Sequence, residues 1–169
     1  MALSLARWGR NDHAEEIFKA LSKEEPGVIA YRIGLGESLM ASGSVDAALT
    51  GYADAINLFP RNVPLTISYA KALISAGEPS QAHKFLLDLL NNVPPTPEQI
   101  RLIARAANAE GDVGNAQHYM SEYYIMTGNL PLAINQLRMA IESPGVNPMD
   151  LARYQARLDE LIEAMPEGK

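Results

Sequence analysis

Four glycines, Gly9, Gly43, Gly77 and Gly111, fall 34 residues apart, and no other property of the sequence restricts the fold as tightly. Ala14, Ala48, Ala82 and Ala116 keep the same step, each five residues after its glycine, and Pro26, Pro60 and Pro94 share it. Three residue types in one period and one phase mark a chain of repeated units, each of which buries its apolar face only against its neighbours.

Between these markers the spacing predicts helix, turn, helix. In VDAALTGYADAINLF, Val45, Ala48, Leu49, Tyr52, Ala55, Ile56 and Phe59 recur at steps of three and four, which defines one buried helical face. Each turn glycine is expected in the left-handed conformation that closes the preceding helix, with Ser44 or Pro79 opening the next. Pro60 and Pro94 stop the second helix of their pairs. The alanine after each turn lets two antiparallel helices approach closely, and a larger side chain there would be overpacked at about 1–3 kcal/mol. The expected class is all-α: a solenoid of about ten antiparallel helices in a single domain, ended by a C-terminal capping helix.

The period and its residues resemble the tetratricopeptide repeat, whose pattern is W-x2-L-G-x2-Y, then A-x3-F, then P. Arg32, Leu35, Gly36, Leu39, Ala48, Tyr52 and Pro60 follow it, with Arg where Trp is usual. Thr66, Tyr69, Ala70, Leu73, Ala82, Leu86 and Pro94 follow it more loosely, and Ile100, Ile103, Ala104, Gly111, Ala116 and Met120 form a degenerate copy. The expected organisation is a truncated repeat over 1–26, full repeats over 27–60 and 61–94, and a degenerate repeat over 95–127. The next glycine with an alanine five residues on is Gly128 with Ala133, only 17 residues after Gly111. The helix holding AQHYMSEYYIM is therefore expected to serve two units, followed by a half-step helix over 128–143, so that the stack bends or closes there. Asn147-Pro148 begins a capping helix over 147–166, with Leu151, Tyr154, Leu158, Leu161, Ile162 and Met165 as its apolar stripe. The opening MALSLARW, with Leu3, Leu5 and Trp8, reads as the back portion of a first helix whose start lies six residues ahead of Met1.

Composition narrows the function. Lys and Arg number 14 against 20 acidic residues, a net charge of −6, which argues against a general binder of nucleic-acid backbone. There is no cysteine, which excludes thiol nucleophiles and Cys-based zinc sites. No apolar run has the length of a membrane span, and the start lacks the basic region of a signal peptide.

HYMSEYYIMTGNLPLAINQLRMAIE and LARYQARLDELIEAM resemble the end of the C-terminal repeat domain of bacterial periplasmic zinc metalloproteases of the β-barrel assembly-enhancing type. In that family an HExxH protease domain precedes the repeats. This chain has no HExxH, and its histidines, His13, His83 and His118, are not paired at that spacing. The resemblance implies a non-catalytic, periplasmic half of a protease, with zinc only in the upstream domain and no cofactor in this chain. It would dock that enzyme on outer-membrane assembly machinery or on stalled substrates. The alternative is a stand-alone cytoplasmic adaptor joining two proteins.

In tetratricopeptide stacks the first helices line a groove. Carried over by register, its residues are Ile33, Glu37 and Met40, then Ile67, Lys71 and Ile74, then Arg101, Arg105 and Asn108. Arg101, Arg105 and Asn108 share one helical face, suited to a carboxylate or an acidic peptide. The apolar members suit an amphipathic or extended hydrophobic segment. His118 and Glu122, four apart, are counted with the groove residues, as a surface ion pair or a satisfied groove histidine, with single-metal binding as a minor alternative. Of the adjacent tyrosines, Tyr124 is placed inside and Tyr123 is left open.

Overall fold

The computed structural model describes residues 11–164, which form nine helices and no strand. They are α1 (Asn11–Glu24), α2 (Ile29–Ala41), α3 (Val45–Leu58), α4 (Val63–Ser75), α5 (Pro79–Asn92), α6 (Pro97–Ala109), α7 (Val113–Met126), α8 (Leu130–Ile141) and α9 (Pro148–Ala164). The opening stretch with Leu3, Leu5 and Trp8, and Met165 of the last stripe, lie outside the described residues. Among the described residues no helix is long and apolar enough to cross a membrane.

The repeated turns have one construction. Gly43, Gly77, Gly111 and Gly128 all adopt φ between 78° and 84°, where a Cβ would be strained. At the first of them Gly43 N–H donates to the Met40 carbonyl (3.2 Å) and Ser44 N–H to the Leu39 carbonyl (2.9 Å). The same pair of bonds recurs at the other three, so each turn satisfies two carbonyls that a helix end would leave open. Five residues on, Ala48, Ala82 and Ala133 are fully buried and Ala116 nearly so, and Ala14 of α1 is fully buried as well.

The chain divides into two compact units at Val93 and Pro94. In the first, α1 to α4 each pack on the next helix, and α2 also meets α4. The Tyr52 ring lies against Gly36 so closely that a Cβ there would overlap it, and Phe18 does the same at Gly34. Tyr52 stacks on Tyr69 (5.8 Å between centroids), which meets Phe85 at 5.1 Å. Arg32, standing where the repeat prefers Trp, spreads over the Phe59 ring at 5.9 Å and donates to the Pro26 carbonyl at 3.1 Å. Its cationic plane thus covers an aromatic face as an indole would.

In the second unit α7 packs against both α6 and α8, and α8 against α9. An offset of 85 residues carries Gly43 to Gly128, Ala48 to Ala133, Tyr52 to Leu137 and Gly36 to Ser121. Ser121, Ala133 and Leu137 are all fully buried. So α7, the second helix to α6, is also a first helix to α8. The core of this unit holds Ala133, Leu137, Ala140, Tyr154 and Leu161, with Tyr124 and Leu158 packed against it. Ile162 does not belong to the apolar stripe as expected: it is 47% exposed. It stands one residue beyond the inward Leu161, about 100° around the helix.

Candidate functional site

In the first unit the first helices of two successive pairs, α2 and α4, enclose a cleft of about 440 Å³. Glu37, Met40, Tyr52, Ser68, Lys71 and Ser75 are among its lining residues. Asn62 caps α4 by accepting the Leu65 N–H at 3.1 Å, which fixes where that helix begins and hence where Lys71 falls. The Tyr52 hydroxyl donates to the Ile33 carbonyl at 3.3 Å. Burial, and then the nearby Glu37 carboxylate, raise the Tyr52 phenol far above its ordinary range, so the ring wall of the cleft stays neutral.

The residues expected in the groove of this unit are not equally available. Glu37 and Lys71 are exposed, Ile33, Met40 and Ile74 are half-buried, and Ile67 is buried. Ile67 is corrected from a groove residue to a core one, since α4 is enclosed on most sides: Leu65, Thr66, Tyr69, Ala70, Ala72 and Leu73 are buried with it.

In the second unit α6 starts at a cap in which Thr96 accepts the Gln99 N–H at 3.3 Å. Its inward face is Ile100, Leu102, Ile103, Ala104, Ala106 and Ala107. That leaves Arg101, Arg105 and Asn108 exposed together, as their spacing of four and three requires. Elsewhere among the described residues Arg61 pairs with Asp88, Arg153 with Asp150, and Arg157 with Glu122 and Glu160.

His118 and Glu122 are not groove residues. The last helix covers them, and the cause is a set of polar anchors across the α7–α9 seam. Arg157 grips both Glu122 oxygens, at 2.8 and 2.9 Å, in a planar fork. The Asn115 oxygen accepts from Arg153 (2.7 Å) and from the Tyr154 hydroxyl (3.1 Å). His118 stacks on Tyr154 at 5.1 Å, and its Nδ1 is sealed from solvent without a hydrogen bond. Burial first, and then Arg153, lower its pKa to about 4. The hydrogen bonds that Arg157 donates to Glu122 and then to Glu160 hold it charged.

Both Glu122 carboxylate oxygens are engaged by the same fork. Among the described residues no group of three or more His, Asp or Glu is gathered in a way that would hold a metal ion. Asn115, Arg153 and Arg157 were not anticipated from the sequence. The signal that would have found them is the 85-residue offset, which aligns His118 with Ile33 and Glu122 with Glu37 and makes α7 a first helix that the following helix can cover.

Comparison with known proteins agrees with this architecture. Residues 39–106 match the family model described as tetratricopeptide repeat. The chain is 25% identical over 168 residues to the β-barrel assembly-enhancing protease of Escherichia coli (strain K12), covering 99% of this chain and 34% of that protein. It is 24% identical to the protein of the same name from Yersinia pestis over 160 residues, covering 95% of this chain and 33% of that one. The chain thus spans about a third of the length of these relatives. Among solved structures it is similar to MamA residues 41-end from Desulfovibrio magneticus RS-1, with a TM-score of 0.65, 14% identity and coverage of 98% and 93% of the two chains. It is also similar to a thermophilic tetratricopeptide-repeat protein of Thermus thermophilus, with a TM-score of 0.55, 20% identity and coverage of 93% and 95%. These likenesses concern the fold: helix pairs of the tetratricopeptide type.

Proposed function

We propose that this chain is a docking module that takes a segment of a partner protein on its first helices and performs no catalysis. The observation that carries the reading is the exposed α6 face of Arg101, Arg105 and Asn108, two guanidiniums and an amide side by side in a chain of net charge −6. Such a face suits an acidic segment, held by charge-assisted hydrogen bonds that are stronger than neutral ones. In the first unit the half-apolar cleft between α2 and α4 suits an apolar side chain of a bound segment, with Met40 as an adaptable wall and Glu37 at hand for a basic neighbour.

The finer reading is that the module is the partner-docking half of a periplasmic zinc metalloprotease in outer-membrane protein assembly. The match over nearly the whole chain to β-barrel assembly-enhancing proteases supports it. Zinc and the hydrolytic residues would belong to an upstream domain, and a client held here would sit at high effective concentration beside it. A second reading is a stand-alone adaptor that joins two proteins.

Two measurements test these readings. A fluorescent acidic peptide containing leucines is expected to bind the chain, and Arg101→Glu combined with Arg105→Glu is expected to weaken it at least about tenfold, about 1.4 kcal/mol. Thermal unfolding should be unchanged, since both side chains are exposed. Equal binding by the double variant removes the α6 face from the account. Photo-crosslinking from position 105 of the full-length protein in cells separates the finer readings. Adducts with outer-membrane assembly components are expected, and adducts confined to cytoplasmic proteins would favour the adaptor.

A further inference from the structure

The faces proposed for docking make no use of His118, although it occupies the middle of the α7–α9 seam. Its ring is stacked on Tyr154 at 5.1 Å and lies 5.4 Å from Tyr119. The charged groups acting on it are Glu122 from α7 and Asp150, Arg153 and Arg157 from α9. These are already matched with one another: Arg157 holds Glu122 at 2.8 Å, and Arg153 holds Asp150 at 2.9 Å. A proton on the imidazole therefore brings a third cation to a place with no uncommitted anion. It also leaves the sealed Nδ1 as a charged donor without an acceptor, the costliest state for a buried polar group.

We propose that His118 makes the α7–α9 seam an acid-sensitive latch, in which the neutral imidazole lets α9 close on α7 and protonation releases it. Release uncovers the face of His118, Glu122 and Ile125, which the 85-residue offset aligns with Ile33, Glu37 and Met40 of the first unit. The latch stands on the seam geometry and does not depend on the docking role proposed above.

The direction follows from linkage. With α9 closed the His118 pKa is lowered to about 4, by burial first and Arg153 next, and with α9 released it returns toward its ordinary 6.5. The released state binds the proton more tightly between those values, so the closed state is fully favoured above pH 6.5 and loses ground as pH falls toward 4. Between pH 7 and pH 5 the released fraction should rise roughly 20-fold.

The test is amide hydrogen exchange on the whole chain by NMR, corrected for the intrinsic pH dependence of exchange. Protection of the Tyr154 to Leu161 amides should fall roughly 20-fold from pH 7 to pH 5 relative to α3, and His118→Phe, which keeps an aromatic ring, should abolish the fall. An undiminished wild-type protection, or the same loss in His118→Phe, overturns the proposal. Should His118→Phe fail to fold, His118→Gln takes its place, and the His118 ring resonances are titrated in the wild-type chain. A midpoint near 6.5 in the folded chain overturns the latch, and one well below 5 supports it.

Discussion

At the scale of single residues, two glycines of the α2–α3 pair, Gly36 and Gly51, separate what packing requires from what it merely tolerates. Gly36 is buried beneath the Tyr52 ring, with no space for a Cβ, whereas Gly51 on α3 is exposed and a Cβ there meets nothing within 4 Å. Gly36→Ala is therefore expected to destabilise by about 1–3 kcal/mol, because Tyr52 is fixed by its stack on Tyr69 and its bond to the Ile33 carbonyl. Gly51→Ala should stabilise by about 0.5–1 kcal/mol through helix propensity alone. Urea unfolding of both variants checks the pair. A shift of the same sign in both would mean that Tyr52 can move away from α2.

At the scale of helices, start and stop signals differ in strength even where the repeat makes them look equivalent. Asn62 accepts a hydrogen bond from the first turn of α4, but Ser44, in the matching place before α3, makes no such bond and instead accepts from the Ser42 hydroxyl at 3.3 Å. Asn62→Ala should cost about 1 kcal/mol and Ser44→Ala only a few tenths, read from chemical denaturation. The turns, the buried alanines and the double use of α7 were all legible in the sequence, because each depends on residues within one repeat. What escaped it depends on closure across distance. Arg157 reaches Glu122 over 35 residues of sequence, and no local pattern distinguishes it from the exposed arginines of α6. Ile67 and Ile162 misled for a related reason: helical spacing tells which residues share a face, and only the neighbouring helices decide whether that face is covered. The α6 face and the α2–α4 cleft were legible as positions, while their sharply different polarity emerged only once Ile67 was seen to be core.

At the scale of the whole chain, most contacts join helices that are neighbours in sequence, and the α2–α4 contact in the first unit and the α7–α9 seam in the second each skip a single helix. A chain of this kind behaves as a row of locally supported units, in which a lesion loosens its own neighbourhood before the rest. Leu137 is fully buried among Ala133, Ala140, Tyr154 and Leu161, so Leu137→Ala removes packing on α8 that both α7 and α9 share. The expected cost is about 2–5 kcal/mol, set by how far Tyr154 can collapse into the space. Hydrogen exchange should show that loss in α7, α8 and α9, with protection of α2 and α3 changed little. Equal loss in both units would show that they unfold as one cooperative body. In that case the opening of α9 would draw on the stability of the whole chain, and partner binding on α2 and α4 would itself strengthen the α7–α9 seam.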